Sequence, residues 1–195
     1  MLTEAPIPEG SRTPVAGIDM RTRALAVELV ADLKIASPVL TASGCYGAGL
    51  EGASFADLAA IGALVTKTVT PKPRAGNPPP RIWETASGML NSIGLENPGV
   101  DAFLDGDLVR SLELGRPVVL NVGGESLEEY ERIVERVRGC GAAALEVNLS
   151  CPNVQGGALP FSTDPSACED VVRRCKDRAD VPMFVKLSPN VSTTL

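Results

Sequence analysis

Residues able to do chemistry gather where apolar runs end. Leu145-Glu-Val-Asn-Leu-Ser-Cys-Pro-Asn-Val154 begins as a strand, because Leu145, Val147 and Leu149 alternate with Glu146, Asn148 and Ser150. Pro152 and Gln155-Gly156-Gly157 then turn it into a loop. Cys151 therefore lies just past a strand, between Asn148 and Asn153. A carboxamide offers both donors and an acceptor, so two of them suit a flat, heteroatom-rich ligand. On its own, the segment is better read as an Asn/Pro turn around a small buried thiol. The other strand ends decide against that.

Five apolar runs each finish on a small or charged polar residue. Pro38-Val-Leu-Thr-Ala-Ser43 is closed by Gly44, and Ala63-Leu-Val-Thr-Lys67 ends on a lysine. Pro117-Val-Val-Leu-Asn121, the run to Asn148, and Val181-Pro-Met-Phe-Val-Lys186 complete the set. Helical patterns separate them, which is the alternation of a parallel sheet with crossover helices. The expected fold is α/β, with the strand–helix units of a β/α barrel. In such a barrel the C-terminal strand ends converge on one rim, where insertions build the site. Ser43, Lys67, Asn121, Asn148 and Lys186 are the rim residues. Two lysines and two asparagines suit an anionic ligand rich in carbonyls and ring nitrogens. Polar residues that merely meet solvent would explain one or two exits, not all of them.

The intervening elements follow from local chemistry. Residues 1–25 read as a tail, acidic and proline-rich at its start, and 26–195 as the barrel portion. Residues 26–30 and 33–35 suit a short hairpin. Ser54 is placed as the N-cap of a helix carrying Phe55, Leu58, Ala59 and Ile61, stopped by Gly62. Residues 70–98 hold Pro71, Pro73, Pro78, Pro79, Pro80 and Pro98, which exclude a regular helix or central strand. Within them, apolar residues surround Asn91, and a long irregular insertion of this kind is often functional. A helix is expected over 100–114, weakened by Gly106. Ser126-Leu-Glu-Glu129 is a capping box, and Asp164-Pro165 an N-cap followed by proline at the first helical position. Cys168 and Cys175 share a helical stripe with Val171 and Val172, which makes them packing residues.

Composition removes other classes. The 195 residues are 44% hydrophobic, with 18 basic and 24 acidic side chains and a net charge of −6. No basic tract is present, which argues against a nucleic-acid partner. No run reaches membrane-spanning length, and the N-terminus lacks the apolar core of a signal peptide, so a cytoplasmic location is expected. The five cysteines include no Cys-x-x-Cys pair, and histidine is absent. Neither a disulfide framework nor a metal or iron–sulfur site is expected from these residues, and His-dependent hydrolysis is excluded.

Taken together, Thr41-Ala-Ser-Gly44, Thr66-Lys-Thr68, Gly76-Asn-Pro-Pro-Pro-Arg81, Gly88-Met-Leu-Asn-Ser-Ile-Gly-Leu-Glu-Asn-Pro-Gly99, Asn148-Leu-Ser-Cys-Pro-Asn153 and Val185-Lys-Leu-Ser-Pro189 resemble the class 1 dihydroorotate dehydrogenases. The Met-Leu-Asn-Ser-Ile-Gly-Leu form resembles the NAD-linked subclass. The resemblance implies FMN-dependent oxidation of dihydroorotate to orotate in pyrimidine synthesis. It implies FMN contacts from Ser43, Lys67, Thr68, Asn121, Asn148 and Lys186. Substrate contacts are implied for Lys67, Asn91, Ser92, Ile93, Gly94, Leu95 and Asn148, with Cys151 as general base. It further implies a homodimer of catalytic subunits and an iron–sulfur flavoprotein partner carrying FAD and a [2Fe-2S] cluster, with NAD as final acceptor.

Family members run to a full (β/α)8 TIM barrel of ~250 residues or more, so the resemblance implies that this sequence carries about the first five units. The glycine-rich strand ends that bind the FMN phosphate in the family have no counterpart among these residues, so the 195 residues alone are expected to be colourless, inactive and prone to self-associate. Two other readings compete. One is a related flavin barrel, of the dihydropyrimidine dehydrogenase or dihydrouridine synthase kind; the net charge disfavours the tRNA-acting one. The other is a non-catalytic half-barrel.

Overall fold

The computed structural model describes residues 25–30, 33–53, 56–150 and 161–188. The expected N-terminal tail and the loop holding Cys151 lie outside them. The chain opens with the expected antiparallel hairpin, β1 (Val27–Val30) against β2 (Leu33–Ile35), in which Val27 faces Ile35.

The central sheet is parallel, with β3 (Leu64–Val65), β6 (Val118–Val122), β7 (Ala144–Asn148) and β8 (Met183–Lys186) in the order β3-β6-β7-β8. Each strand joins the one before it in the sheet. The run over 38–43, expected as a full strand, pairs only through a parallel bridge from Leu40 to Ala63, and Val39 is 57% exposed. The physical reason lies in Thr41. Its hydroxyl takes the Val65 N–H at 2.8 Å, so a side chain replaces the next rung of the ladder.

The crossovers are helical. α1 (Val100–Phe103) and α2 (Val109–Glu113) are joined by a π-helical turn over Leu104–Leu108, so the expected helix forms with its irregularity at Gly106. α3 (Leu127–Arg136) starts at Ser126, whose hydroxyl accepts the Glu129 N–H, while the Glu129 carboxylate accepts from Glu125 N–H. α4 (Pro165–Lys176) is capped by Asp164, which accepts from Ser166 and Ala167 N–H. The Ser166 hydroxyl and these two amides hold the Asp164 carboxyl below its ordinary range. The helix expected from Ser54 is corrected in part. Ser54 and Phe55 lie outside the described residues, and beyond them the chain makes one 3-10 turn, Leu58–Ala60, capped by Asp57. The proline-rich insertion forms an exposed antiparallel hairpin, β4 (Ile82–Thr85) with β5 (Gly88–Asn91), separate from the central sheet.

The two faces of the sheet differ. Val118, Leu120, Val122, Leu145 and Val147 pack with Phe103, Leu108, Ile133, Val134, Val171 and Cys175, so every crossover helix covers the same face. Helices on one face only are what a sheet curling into a barrel requires. The opposite face begins apolar, with Ala63, Val65, Val119 and Ala144 against Leu33 and Ile35 of the first hairpin. Further along the same strands it turns polar. The strand through Leu145 and Val147, expected to be half-buried, is therefore buried on both sides.

Candidate active site at the C-terminal strand ends

Strand alternation carries the inner face from Val119 to Asn121, from Ala144 through Glu146 to Asn148, and from Phe184 to Lys186. The parallel register sets Asn121 beside Glu146, and Asn148 beside Lys186. Three of the predicted rim residues, Asn121, Asn148 and Lys186, thus reach one region, and Glu146, singled out only as a polar alternation partner, joins them.

Lys67 and Thr68 arrive by a less regular route. Val65 pairs with Val119, whereas Val69 bridges to Val122, so one extra residue lies between them on the first strand. Such a bulge re-aims side chains and is common beside active sites. Val69 consequently joins the helix-side core, while Thr68 turns inward. The Thr68 hydroxyl accepts from Asn148 Nδ2 at 2.9 Å and meets the Ser43 hydroxyl at 3.4 Å. Ser43, Thr68 and Asn148, far apart in sequence, form one connected network.

The two asparagines are held differently. Asn148 Oδ1 accepts from Ser150 N at 3.0 Å and from the Ser150 hydroxyl at 2.7 Å, and the Asn148 carbonyl accepts from Tyr130 Oη at 2.7 Å. Asn121 has its backbone satisfied by Thr66 and Val69, and its Nδ2 donates to Glu146. Its Oδ1 is buried without a partner, in a residue with 0% exposure. An unpaired buried carbonyl costs ~1–3 kcal/mol.

A cavity of about 450 Å³ adjoins this face, lined among others by Lys67, Thr68, Arg74, Glu96, Asn97 and Phe103. Lys67 and Thr68 link it to the inner network; Asn121, Asn148 and Lys186 lie outside its lining. Among the described residues neither Lys67 nor Lys186 is ion-paired.

The predicted substrate stretch is placed less centrally. Asn91 ends β5 opposite Ile82 and is exposed, Ser92 holds Asn77 Nδ2 at 2.8 Å, and none of Asn91, Ser92, Ile93, Gly94 and Leu95 lines the cavity. What reaches it from the insertion is Glu96, Asn97 and Pro98. Asn97 anchors them: its Oδ1 accepts from Thr70 N and Gly99 N, and its Nδ2 donates to the Thr70 hydroxyl and Leu95 carbonyl. The bend at 94–95 is tight. Gly94 has φ 77°, and an added Cβ would stand 2.7 Å from Asn77 N, while Leu95 itself adopts φ 55°. Sequence reasoning missed the bracing by Asn97 and Glu146. Glu146 was detectable, since it shares strand parity with Asn148.

Cys151 lies outside the described residues. Of the other cysteines, Cys140, Cys168 and Cys175 have thiols pushed up by burial, Cys175 to about 11, which suits packing and not proton transfer at neutral pH. Cys45 is exposed. Among the described residues, no helix is long and apolar enough to cross a membrane.

Residues 24–195 match the family model described as dihydroorotate dehydrogenase. The chain is 51% identical over 164 residues to a protein of Desulforudis audaxviator named dihydroorotate dehydrogenase B (NAD(+)), catalytic subunit, covering 84% of this chain and 53% of that one. A protein of the same name from Geobacter sp. (strain M21) is 50% identical over 164 residues, covering 84% and 54%. A crystal structure of DHODH from Eimeria tenella, in complex with ferulenol, superimposes with a TM-score of 0.72 at 22% identity, covering 90% of this chain and 55% of that one. That likeness establishes the α/β barrel fold over the portion present. The chain spans about half the length of the curated relatives it matches.

Proposed function

The chain belongs to the dihydroorotate dehydrogenase family, and on that premise we propose that the protein carrying it oxidises dihydroorotate to orotate with FMN, in the NAD-linked manner. The observation that carries this reading is the Ser43–Thr68–Asn148 network at the strand ends, joined through Lys67 and Thr68 to the cavity. Hydroxyls and a carboxamide beside strand-end lysines fit a planar, polar heterocycle and not an apolar filler.

Ser43, Lys67, Thr68, Asn121, Asn148 and Lys186 hold the flavin, whose bound form supplies the hydride acceptor. Lys67 and Lys186 would offset the negative charge that develops on the flavin when it is bound. Lys67, Asn148 and the stretch Asn91, Ser92, Ile93, Gly94 and Leu95 orient the substrate, its carboxylate drawn to the lysine. Cys151 takes the proton from the ring carbon beside the carbonyl, while the hydride leaves the neighbouring carbon that bears the carboxylate. The relatives' shared description as catalytic subunits of an NAD-linked enzyme supports a second, iron–sulfur flavoprotein subunit with FAD and [2Fe-2S], passing electrons to NAD.

The test uses the flavin-loaded protein. Cys151→Ser should slow flavin bleaching by dihydroorotate ~10²–10⁴-fold in stopped flow and move its pH dependence upward, since a hydroxyl is a far weaker base than a thiol. An unchanged rate removes Cys151 from the mechanism, and a protein carrying the complete barrel that neither carries nor binds FMN overturns the whole reading.

A further inference from the structure

The stretch Asn91 to Leu95 ends on two successive left-handed residues, Gly94 at φ 77° and Leu95 at φ 55°. Glycine adopts that conformation freely. In leucine the Cβ crowds a carbonyl oxygen there, so the conformation persists only where the surroundings over-determine the backbone. Something must therefore hold Leu95. Asn77 braces the residues before the bend: its backbone N–H donates to the Ile93 carbonyl, and its Nδ2 to the Ser92 carbonyl and hydroxyl. The Leu95 carbonyl is taken instead by Asn97 Nδ2, at 2.7 Å.

Asn97 is 7% exposed, and its other bonds run across the base of the insertion. Its Oδ1 accepts from Thr70 N at 3.2 Å and from Gly99 N at 2.9 Å. The second amide hydrogen goes to the Thr70 hydroxyl at 2.9 Å, and the backbone exchanges two hydrogen bonds with Arg74. Both amide hydrogens are thus spent inside the protein, so this side chain does not serve a ligand by donating to it. Thr70 lies two residues past Thr68, on the strand exit that carries Lys67. One carboxamide therefore couples the left-handed bend to the segment bearing the lysine. Its two ends divide the work: the oxygen closes the insertion, and one N–H fixes Leu95.

We infer that Asn97 is a positioning residue whose bond to the Leu95 carbonyl keeps the bend left-handed and so sets how residues 91–95 meet a pyrimidine substrate. This rests on the functional reading above, which assigns that stretch to the substrate. Released from Asn97, Leu95 relaxes to negative φ and turns the preceding peptides relative to Lys67. The strand-end residues assigned to the flavin belong to other segments and keep their places.

The test uses the protein carrying the complete barrel, with orotate titrated by calorimetry into the flavin-loaded form and FMN by fluorescence into the stripped form. Asn97→Asp separates the two tasks. Its carboxylate keeps an acceptor for Thr70 and Gly99, whose amides favour the ionised form, but has no hydrogen to give Leu95. Orotate should bind about tenfold more weakly, the scale of one buried hydrogen bond, while the FMN dissociation constant stays within about twofold. Leu95→Gly supplies the second comparison. Glycine needs no hold to be left-handed, so in a Leu95→Gly background the same Asn97→Asp change should weaken orotate by less than about threefold. Unchanged orotate affinity in Asn97→Asp, an equal loss of FMN affinity, or the same penalty in both backgrounds would each overturn the positioning role. Wild type that binds FMN but not orotate would instead bring down the substrate reading, and the inference with it. Affinities are taken on folded molecules only, so a variant of lower yield still decides the question.

Discussion

Asn121 and Val122 are neighbours on β6, and both are 0% exposed. Val122 points to the helix face, where Tyr130, Ile133 and Val134 of α3 join the same core. Asn121 points to the inner face, where its oxygen meets no protein donor. Equal burial therefore conceals opposite physics. On the helix face every neighbour contributes dispersion and removes apolar area from water, so the face stabilises the fold. At the C-terminal end of the inner face, burial leaves the Asn121 oxygen unpaired, which costs stability, and the neighbouring Thr68 and Lys67 open onto a cavity. Changes on the first face should act on folding. Changes on the second should act mainly on what binds.

The largest effect is expected from the helix face. Ile133 is 0% exposed within the core that joins α3 to β6 and β7. Ile133→Ala should cost ~2–5 kcal/mol in urea unfolding, since the cavity cannot collapse fully between a helix and a sheet. FMN bound per folded molecule should stay unchanged. A loss of flavin stoichiometry in the folded fraction would show that the two faces are not separable.

Thr68→Val sharpens the contrast from the inner side. The shape is kept, but Asn148 Nδ2 loses its acceptor and Ser43 its neighbour. Leaving one buried donor unpaired should cost ~1–3 kcal/mol, less than the core truncation, while FMN affinity should fall in the same protein. Fluorescence titration of FMN into the stripped variant reads the second effect. Unaltered affinity would make the Thr68 network purely structural.

How much of this was legible in the sequence follows the same division. The helix face repeats at regular periods, so the strands ending at Asn121, Asn148 and Lys186, the Ser126 and Asp164 caps and the packing role of Cys168 and Cys175 could be read directly. The inner face depends on pairing between distant segments, which no local pattern encodes. The bulge that turns Thr68 inward arises from a one-residue slip between β3 and β6, visible only once Val65 and Val69 have partners. The Leu40 segment stops laddering because Thr41 substitutes its hydroxyl, a competition that strand propensity does not register. The β4–β5 hairpin was hidden by prolines that exclude a central strand but permit one outside the main sheet. Its Trp83 and Leu90 are exposed, so no burial pattern marks it.

The smallest effect is silent at neutral pH and tests whether the helix face is as dry as its packing implies. Cys175 lies on α4 at 0% exposure, and burial pushes its thiol up to about 11. Arg178 nearby pulls the other way, and Glu131 adds to the rise. In the unfolded chain the same thiol ionises near the ordinary value of ~8.5. Below that value both states hold the proton and Cys175 contributes its full share of stability. Between there and about 11 the unfolded state releases the proton first, so unfolding is favoured increasingly as pH rises. Wild type should therefore lose stability more steeply than Cys175→Ala across pH 9–11, although the alanine variant starts lower because of its small cavity. The difference between the two urea-unfolding profiles isolates this thiol from the lysines and tyrosines that titrate in the same range. Parallel profiles would mean that water reaches Cys175, and that the helix face is less completely sealed than the inner face it is being compared with.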